Sequence, residues 1–137
     1  MINQKNWKLR IDKHKNRRPK SWKLIEDFKC LDIELNSLHK QTLLIDSIGG
    51  LVYRFINSTE DVWLEYRSKI ITSLINYKGK IVIVLEEVGS GLSPSNQIGN
   101  IFRDRIGEFS QELEDISSKS YLIIHGRPLN LKRLYDK

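Results

Sequence analysis

The sequence predicts a single α/β domain over residues 1–137, a mainly parallel sheet with flanking helices. Three observations predict it. Residues 42–46 (TLLID) and 80–85 (KIVIVL) are compact apolar runs of strand length. Between and after them lie stretches with helical spacing, so strands and helices alternate. The second run is continuously apolar and β-branched, the pattern of a strand covered on both faces by crossover helices.

Taken in order, Trp7, Ile11 and His14 are spaced along one face of a short helix, which Arg17-Arg18-Pro19 should end. Trp22, Leu24 and Glu26 alternate with Lys23 and Ile25, which predicts a short strand. Leu31, Leu35 and Leu38 predict a helix. The strand at 42–46 ends in Asp46 and opens into Ser47-Ile-Gly-Gly50. A longer helix should begin at Ser58, which stands three residues before Asp61 in capping-box spacing. Trp63, Tyr66, Ile70, Ile71, Leu74 and Ile75 would form its apolar face.

The strand at 80–85 runs into Glu86, Glu87 and the loop Val88-Gly-Ser-Gly-Leu-Ser-Pro94. Pro94 suits a first helical position, with Ser93 as its cap. Ile98, Ile101, Phe102, Ile106, Phe109, Leu113 and Ile116 then recur at helical period, the clearest amphipathic helix in the chain. Residues 120–124 make a last strand, followed by a basic, polar tail. Ligands of such sheets gather beyond the carboxyl ends of the strands, where Asp46, Glu86, Glu87 and His125 fall.

Composition bounds the partners. The 137 residues, 39% hydrophobic and 29% charged, describe a globular chain rather than a disordered one. No apolar run approaches the roughly twenty residues that span a bilayer, and the polar, basic start carries no apolar signal segment. A single cysteine, Cys30, allows no internal disulfide, so a cytoplasmic location is expected. Residues 1–29 hold ten Lys/Arg against three Asp/Glu, whereas residues 30–137 hold thirteen against fourteen. The excess positive charge therefore sits at the N-terminus and asks for an anionic partner: nucleotide phosphates, a nucleic-acid backbone, or only water around a solvated helix.

The densest polar segment surrounds His14, with Lys13, Lys15, Arg17 and Arg18 beside it. Neighbouring cations disfavour the imidazolium, so a neutral, nucleophilic ring near pH 7 is expected. The same cations would hold a triphosphate and offset the charge that develops on a pyrophosphate leaving group. The plainer alternative is a surface histidine in a basic helix. Asp46, closing an apolar strand, has the form of a magnesium-binding carboxylate in nucleotide-using enzymes, or is simply a polar strand end. Glu86 and Glu87 would bind a metal or a substrate hydroxyl, or cap the neighbouring loop. His39 and Cys30 have no partner at metal-ligand spacing. Trp63 and Phe109 read as core.

Several of these segments together resemble the bifunctional adenosylcobinamide kinase / adenosylcobinamide-phosphate guanylyltransferase family. Arg10-Ile11, His14, Arg18-Pro19 and Trp22 are similar to its RI-x-x-H-x-x-x-RP-x-x-W signature, and Glu26 stands at its strand-end glutamate. Leu43-Leu-Ile-Asp46 is similar to its acidic strand. Glu87-Val-Gly-Ser-Gly-Leu-Ser-Pro94 resembles its EVG-x-G-x-x-P loop, and Phe102-Arg-Asp104 its FRD helix.

The resemblance implies that His14 takes GMP from GTP as a phosphoramidate and passes it to adenosylcobinamide phosphate, giving adenosylcobinamide-GDP. A kinase step would phosphorylate adenosylcobinamide with ATP or GTP. Lys15, Asn16, Arg17, Arg18, Glu26 and Asp46 are implied as nucleotide contacts, with Asp46 also toward Mg2+. A homotrimer is implied, and nucleic acid is not among the implied partners. The implied fold is P-loop NTPase-like. Such chains open with a strand, a G-x-x-x-x-G-K-[ST] loop and a helix, and no such motif occurs here. The reading is thus of a chain lacking that first unit, with its kinase step in doubt. Two other classes stay open: a non-catalytic remnant, and a basic module that binds anions or nucleic acid.

Overall fold

A computed structural model describes residues 4–26 and 30–133. It is a mixed α/β chain with a small parallel sheet and flanking helices. Helix α1 covers Gln4–Arg17 and stops ahead of Pro19, as the sequence predicts. The strand expected around Trp22–Glu26 is not formed. Instead the Trp22 N–H turns back to the Pro19 carbonyl at 3.0 Å, and Trp22 and Leu24 lie exposed without a pairing strand. Alternation alone does not make a strand where no partner edge is offered.

Helix α2, Leu31–Ser37, follows, then β1, Thr42–Asp46. The Ser47–Gly50 segment, given no element in the sequence reading, enters a further helix, α3, Ile48–Arg54. Helix α4 covers Glu60–Asn76. Its cap is Thr59 rather than Ser58, because the Ser58 hydroxyl is engaged with the Phe55 carbonyl at 2.7 Å. Strand β2, Lys80–Val84, pairs parallel with β1 in the register Thr42↔Lys80 to Asp46↔Val84.

Helix α5, Gln97–Ile116, begins three residues after Pro94. Asn96 caps it by accepting from the Gly99 N–H at 2.7 Å, while Ser93 is held elsewhere. Strand β3, Tyr121–Ile124, does not join the parallel pair. It folds back on β4, Arg127–Asn130, where a polar tail was expected. His125 (φ 50°) and Gly126 (φ 75°) make the two-residue turn, both in the left-handed region that suits the twist of a hairpin.

The core lies between α2, α3, α4 and α5, beneath one face of β1–β2. Trp63, Phe109, Ile48, Ile70, Ile106 and Val52 are its fully buried side chains. Trp63 meets Phe109 edge-on at 5.8 Å between ring centroids. Leu43, Ile45, Ile81 and Ile83 pack on this core from the strands. The opposite sheet face is open: Leu44, Val82 and Val84 are 46%, 56% and 40% exposed. The expectation that the second strand is covered on both faces is therefore corrected, since helices lie on one side only among the described residues. Ile75, placed on the apolar face of α4, is likewise 60% exposed and points away from the core.

Candidate functional site

The parallel register sets Asp46 and Val84 side by side, so β1 and β2 end together and their following residues meet. Asp46 projects from the β1 end, exposed, with no hydrogen bond or ion pair to its side chain among the described residues. Beyond it the chain drops into the core at Ile48, which is fully buried, and starts α3.

Glu86 reaches across from the end of β2. Its Oε2 accepts from the Gly49 N–H at 2.9 Å and its Oε1 from the Ser47 hydroxyl. Ser47 is the N-cap residue of α3, yet its side chain makes no capping bond to its own helix. The carboxylate from the neighbouring strand takes an orphan N–H in its place, in the setting where a helix start favours negative charge. A side chain at position 49 would displace the carboxylate from this place: a Cβ there would sit 2.7 Å from the Glu86 carboxyl carbon.

Glu87 turns the other way. Its Oε1 accepts from the N–H groups of Gly89 (2.7 Å) and Ser90 (3.2 Å), folding the glycine-containing loop onto itself. Arg103, nearly two turns into α5, closes the same loop from below by donating to Ser93 Oγ (2.5 Å) and the Gly89 carbonyl (3.2 Å). A cavity of about 430 Å³ opens beside it, lined in part by Glu86, Glu87, Val88, Gly89, Arg103 and Asp104. That volume falls within the range of small-molecule sites. A second cavity, about 370 Å³, lies near Leu38, His39, Lys40 and Tyr77 and has no carboxylate in its lining. It sits at the amino ends of the strands, away from Asp46.

Of the residues singled out from sequence, the structure brings Asp46, Glu86 and Glu87 to one strand-end region. Both glutamates bind backbone N–H groups, the loop- and turn-capping alternative. His125 belongs to the separate β3–β4 hairpin and does not share this edge. Lys15, Asn16 and Arg17 are exposed on α1, Arg18 is half-buried just past its end, and Glu26 is exposed. The backbone of His14 is in α1, and its imidazole lies outside the described residues. Among the described residues helix α1 packs extensively against no other element, and its basic residues are not set on the Asp46 edge. No group of three or more His, Cys, Asp or Glu side chains converges for a metal among the described residues. No helix among them is long and apolar enough to cross a membrane.

Sequence reasoning missed Ser47, Gly49 and the part played by Arg103. The available signal was a small-residue run directly after an acidic strand end, and an arginine nearly two turns into the helix that follows the glycine loop.

The description "Cobinamide kinase / cobinamide phosphate guanyltransferase" belongs to a family model that matches residues 1–131. The chain is 24% identical to the bifunctional adenosylcobalamin biosynthesis protein CobU of Escherichia coli (strain K12) over 140 aligned positions, covering 90% of this chain and 77% of that relative. CobU of Salmonella typhimurium (strain LT2) is 25% identical with the same coverage. The bifunctional adenosylcobalamin biosynthesis protein CobP of Pseudomonas aeruginosa is 25% identical over 126 positions, covering 90% of this chain and 73% of that protein.

Proposed function

Because the chain belongs to the cobinamide kinase / cobinamide phosphate guanyltransferase family, we propose that it acts in cobalamin biosynthesis as a nucleotidyltransferase. The observation that carries this is the match over residues 1–131, which spans the His14 segment, the Asp46 strand end and the Glu87–Pro94 loop in one run.

The proposed chemistry is covalent. His14 attacks the α-phosphorus of GTP, a P–N bond forms, the bond to the β-phosphate oxygen breaks, and pyrophosphate leaves. The guanylyl group then passes to an oxygen of adenosylcobinamide phosphate, breaking the P–N bond and returning the imidazole. Lys15, Asn16, Arg17 and Arg18 contribute charge and hydrogen bonds to the nucleotide, and Glu26 and Asp46 further contacts. The exposed, unpartnered Asp46 carboxylate suits Mg2+, which takes one or two carboxylates and fills its remaining positions with phosphate oxygens and water. Mg2+ there would neutralise charge on the triphosphate. The kinase step, with ATP or GTP as donor, calls for a phosphate-cradling G-x-x-x-x-G-K-[ST] loop that the sequence does not contain. A P-loop NTPase-like fold, a homotrimer and a cytoplasmic location accompany the proposal.

The test is incubation with α-phosphate-labelled GTP. The wild type should take up acid-labile label, released by adenosylcobinamide phosphate, and His14→Ala should take up none. Undiminished labelling of that variant would end the assignment. The charge at the N-terminus supports one other reading, an anion- or nucleic-acid-binding module. That reading predicts oligonucleotide binding that falls steeply with salt and ignores GTP.

A further inference from the structure

We propose that Glu86 is a positioning residue, which fixes the turn from Asp46 to Gly49 and with it the direction of the Asp46 carboxylate. As a statement about nucleotide binding, this rests on the function proposed above.

The argument is geometric. The turn leaves β1 at Asp46 and is anchored on one side by Ile48, fully buried in the core. Its other side would be free without Glu86, because the Ser47 side chain gives its helix no cap. Glu86 supplies both missing restraints, through the Ser47 hydroxyl and the Gly49 N–H. These come from β2, so the restraint also ties the two strand ends together at the point where Asp46 faces solvent. Glu86 has no remaining carboxylate oxygen free of such a bond, which separates it from Asp46, whose carboxylate is unpartnered among the described residues. The role needs an acceptor at this place rather than a negative charge. A glutamine side chain can accept from Gly49 and donate to the Ser47 oxygen, since the hydroxyl rotates to suit.

The experiment compares the whole chain with Glu86→Ala, Glu86→Gln and Ser47→Ala. Amide hydrogen exchange at Gly49 is followed by NMR beside GTP labelling of His14 at a series of GTP concentrations. The expected result is exchange at Gly49 faster by about tenfold in Glu86→Ala, the size of one lost hydrogen bond, with the thermal midpoint nearly unchanged. Glu86→Gln should stay near wild type in both exchange and labelling. Ser47→Ala should fall between. The GTP concentration for half-maximal labelling should rise in Glu86→Ala.

Unchanged Gly49 exchange in Glu86→Ala would overturn the proposal. So would Glu86→Gln keeping native exchange yet losing labelling, since Glu86 would then touch the substrate itself. A wild type that takes up no label sinks the proposed function instead, and Gly49 exchange still decides whether Glu86 holds the turn.

Discussion

The guanidinium of Arg105 stands 5.5 Å above the Trp63 ring, and the two are 5% and 0% exposed. Arg105 also donates to the Phe55 carbonyl (2.6 Å), the Ser58 carbonyl (3.1 Å) and Glu60 Oε2 (3.0 Å). One side chain on α5 therefore holds the whole α3–α4 connection. A planar, forked cation suits this place, because a lysine ammonium cannot reach all of these acceptors from one position over the indole. Glu60 is 58% exposed at its side chain, so its share of the bond is screened and small. Arg105→Ala should cost roughly 2–3 kcal/mol, mainly through two backbone carbonyls left without a donor and lost packing on the indole. Arg105→Lys should recover less than half of that. A urea midpoint for Arg105→Ala indistinguishable from wild type would show that water replaces the guanidinium freely.

The burial pattern of α4 and α5 separates two substitutions that helical periodicity alone treats alike. Phe109 is fully buried against Trp63, so Phe109→Ala should cost roughly 3–5 kcal/mol. Ile75, on the nominally apolar side of α4, is 60% exposed, and Ile75→Ala should change stability by less than about 0.5 kcal/mol. Equal losses in chemical denaturation would mean that Ile75 packs on something in solution.

Burial pushes the Tyr66 hydroxyl above the ordinary tyrosine range, and the Leu31 N–H bonded to it at 3.3 Å offsets this only in part. The folded state therefore holds the phenolic proton more tightly than the unfolded state does. Stability from this group is complete below the unfolded value of about 10 and declines as pH rises from there toward the folded value. Melting curves between pH 8 and 11 should show a steeper alkaline decline for wild type than for Tyr66→Phe. Parallel declines would place the sensitive group elsewhere.

The hairpin turn gives a local test. Gly126 has φ 75°, so Gly126→Ala should lose roughly 1 kcal/mol, while His125→Gly should relieve strain of similar size at φ 50°. A thermal midpoint raised by Gly126→Ala would rule out the left-handed turn in solution.

Much of this fold is legible in the chain, and the failures have identifiable causes. Helix α5 is readable because seven apolar residues repeat over its length. Strands β1 and β2 are readable as strands, but a run of β-branched residues does not reveal how many layers cover it. Helix α3 is hidden by Gly49 and Gly50, which oppose helix on propensity; the Glu86 carboxylate lies against the first of them. Strand β4 contains Pro128, a residue that argues against a strand except at an edge, and here it pairs only with Ile123. The helix starts were misplaced at Ser58 and Ser93 because both hydroxyls are engaged away from the helix ends, Ser58 donating to the Phe55 carbonyl and Ser93 accepting from Arg103. At the candidate site, strand-end position was enough to place Asp46 at the carboxyl end of β1. The work of Glu86 was not legible, because its donors come from a segment 37 and 39 residues away in sequence.

Strands β1 and β2 form a ribbon gripped from beneath, with Leu44, Val82 and Val84 exposed on its other face among the described residues. Ribbons of two strands coil more freely than wide sheets, so the torsion of this one is set by the helices under it. Loosening the Trp63–Phe109 contact would then shift the gap between Asp46 and Glu86 without altering any residue near it. A Phe109→Leu variant in which the bond from Gly49 to Glu86 survives unperturbed would mean the ribbon is stiffer than that.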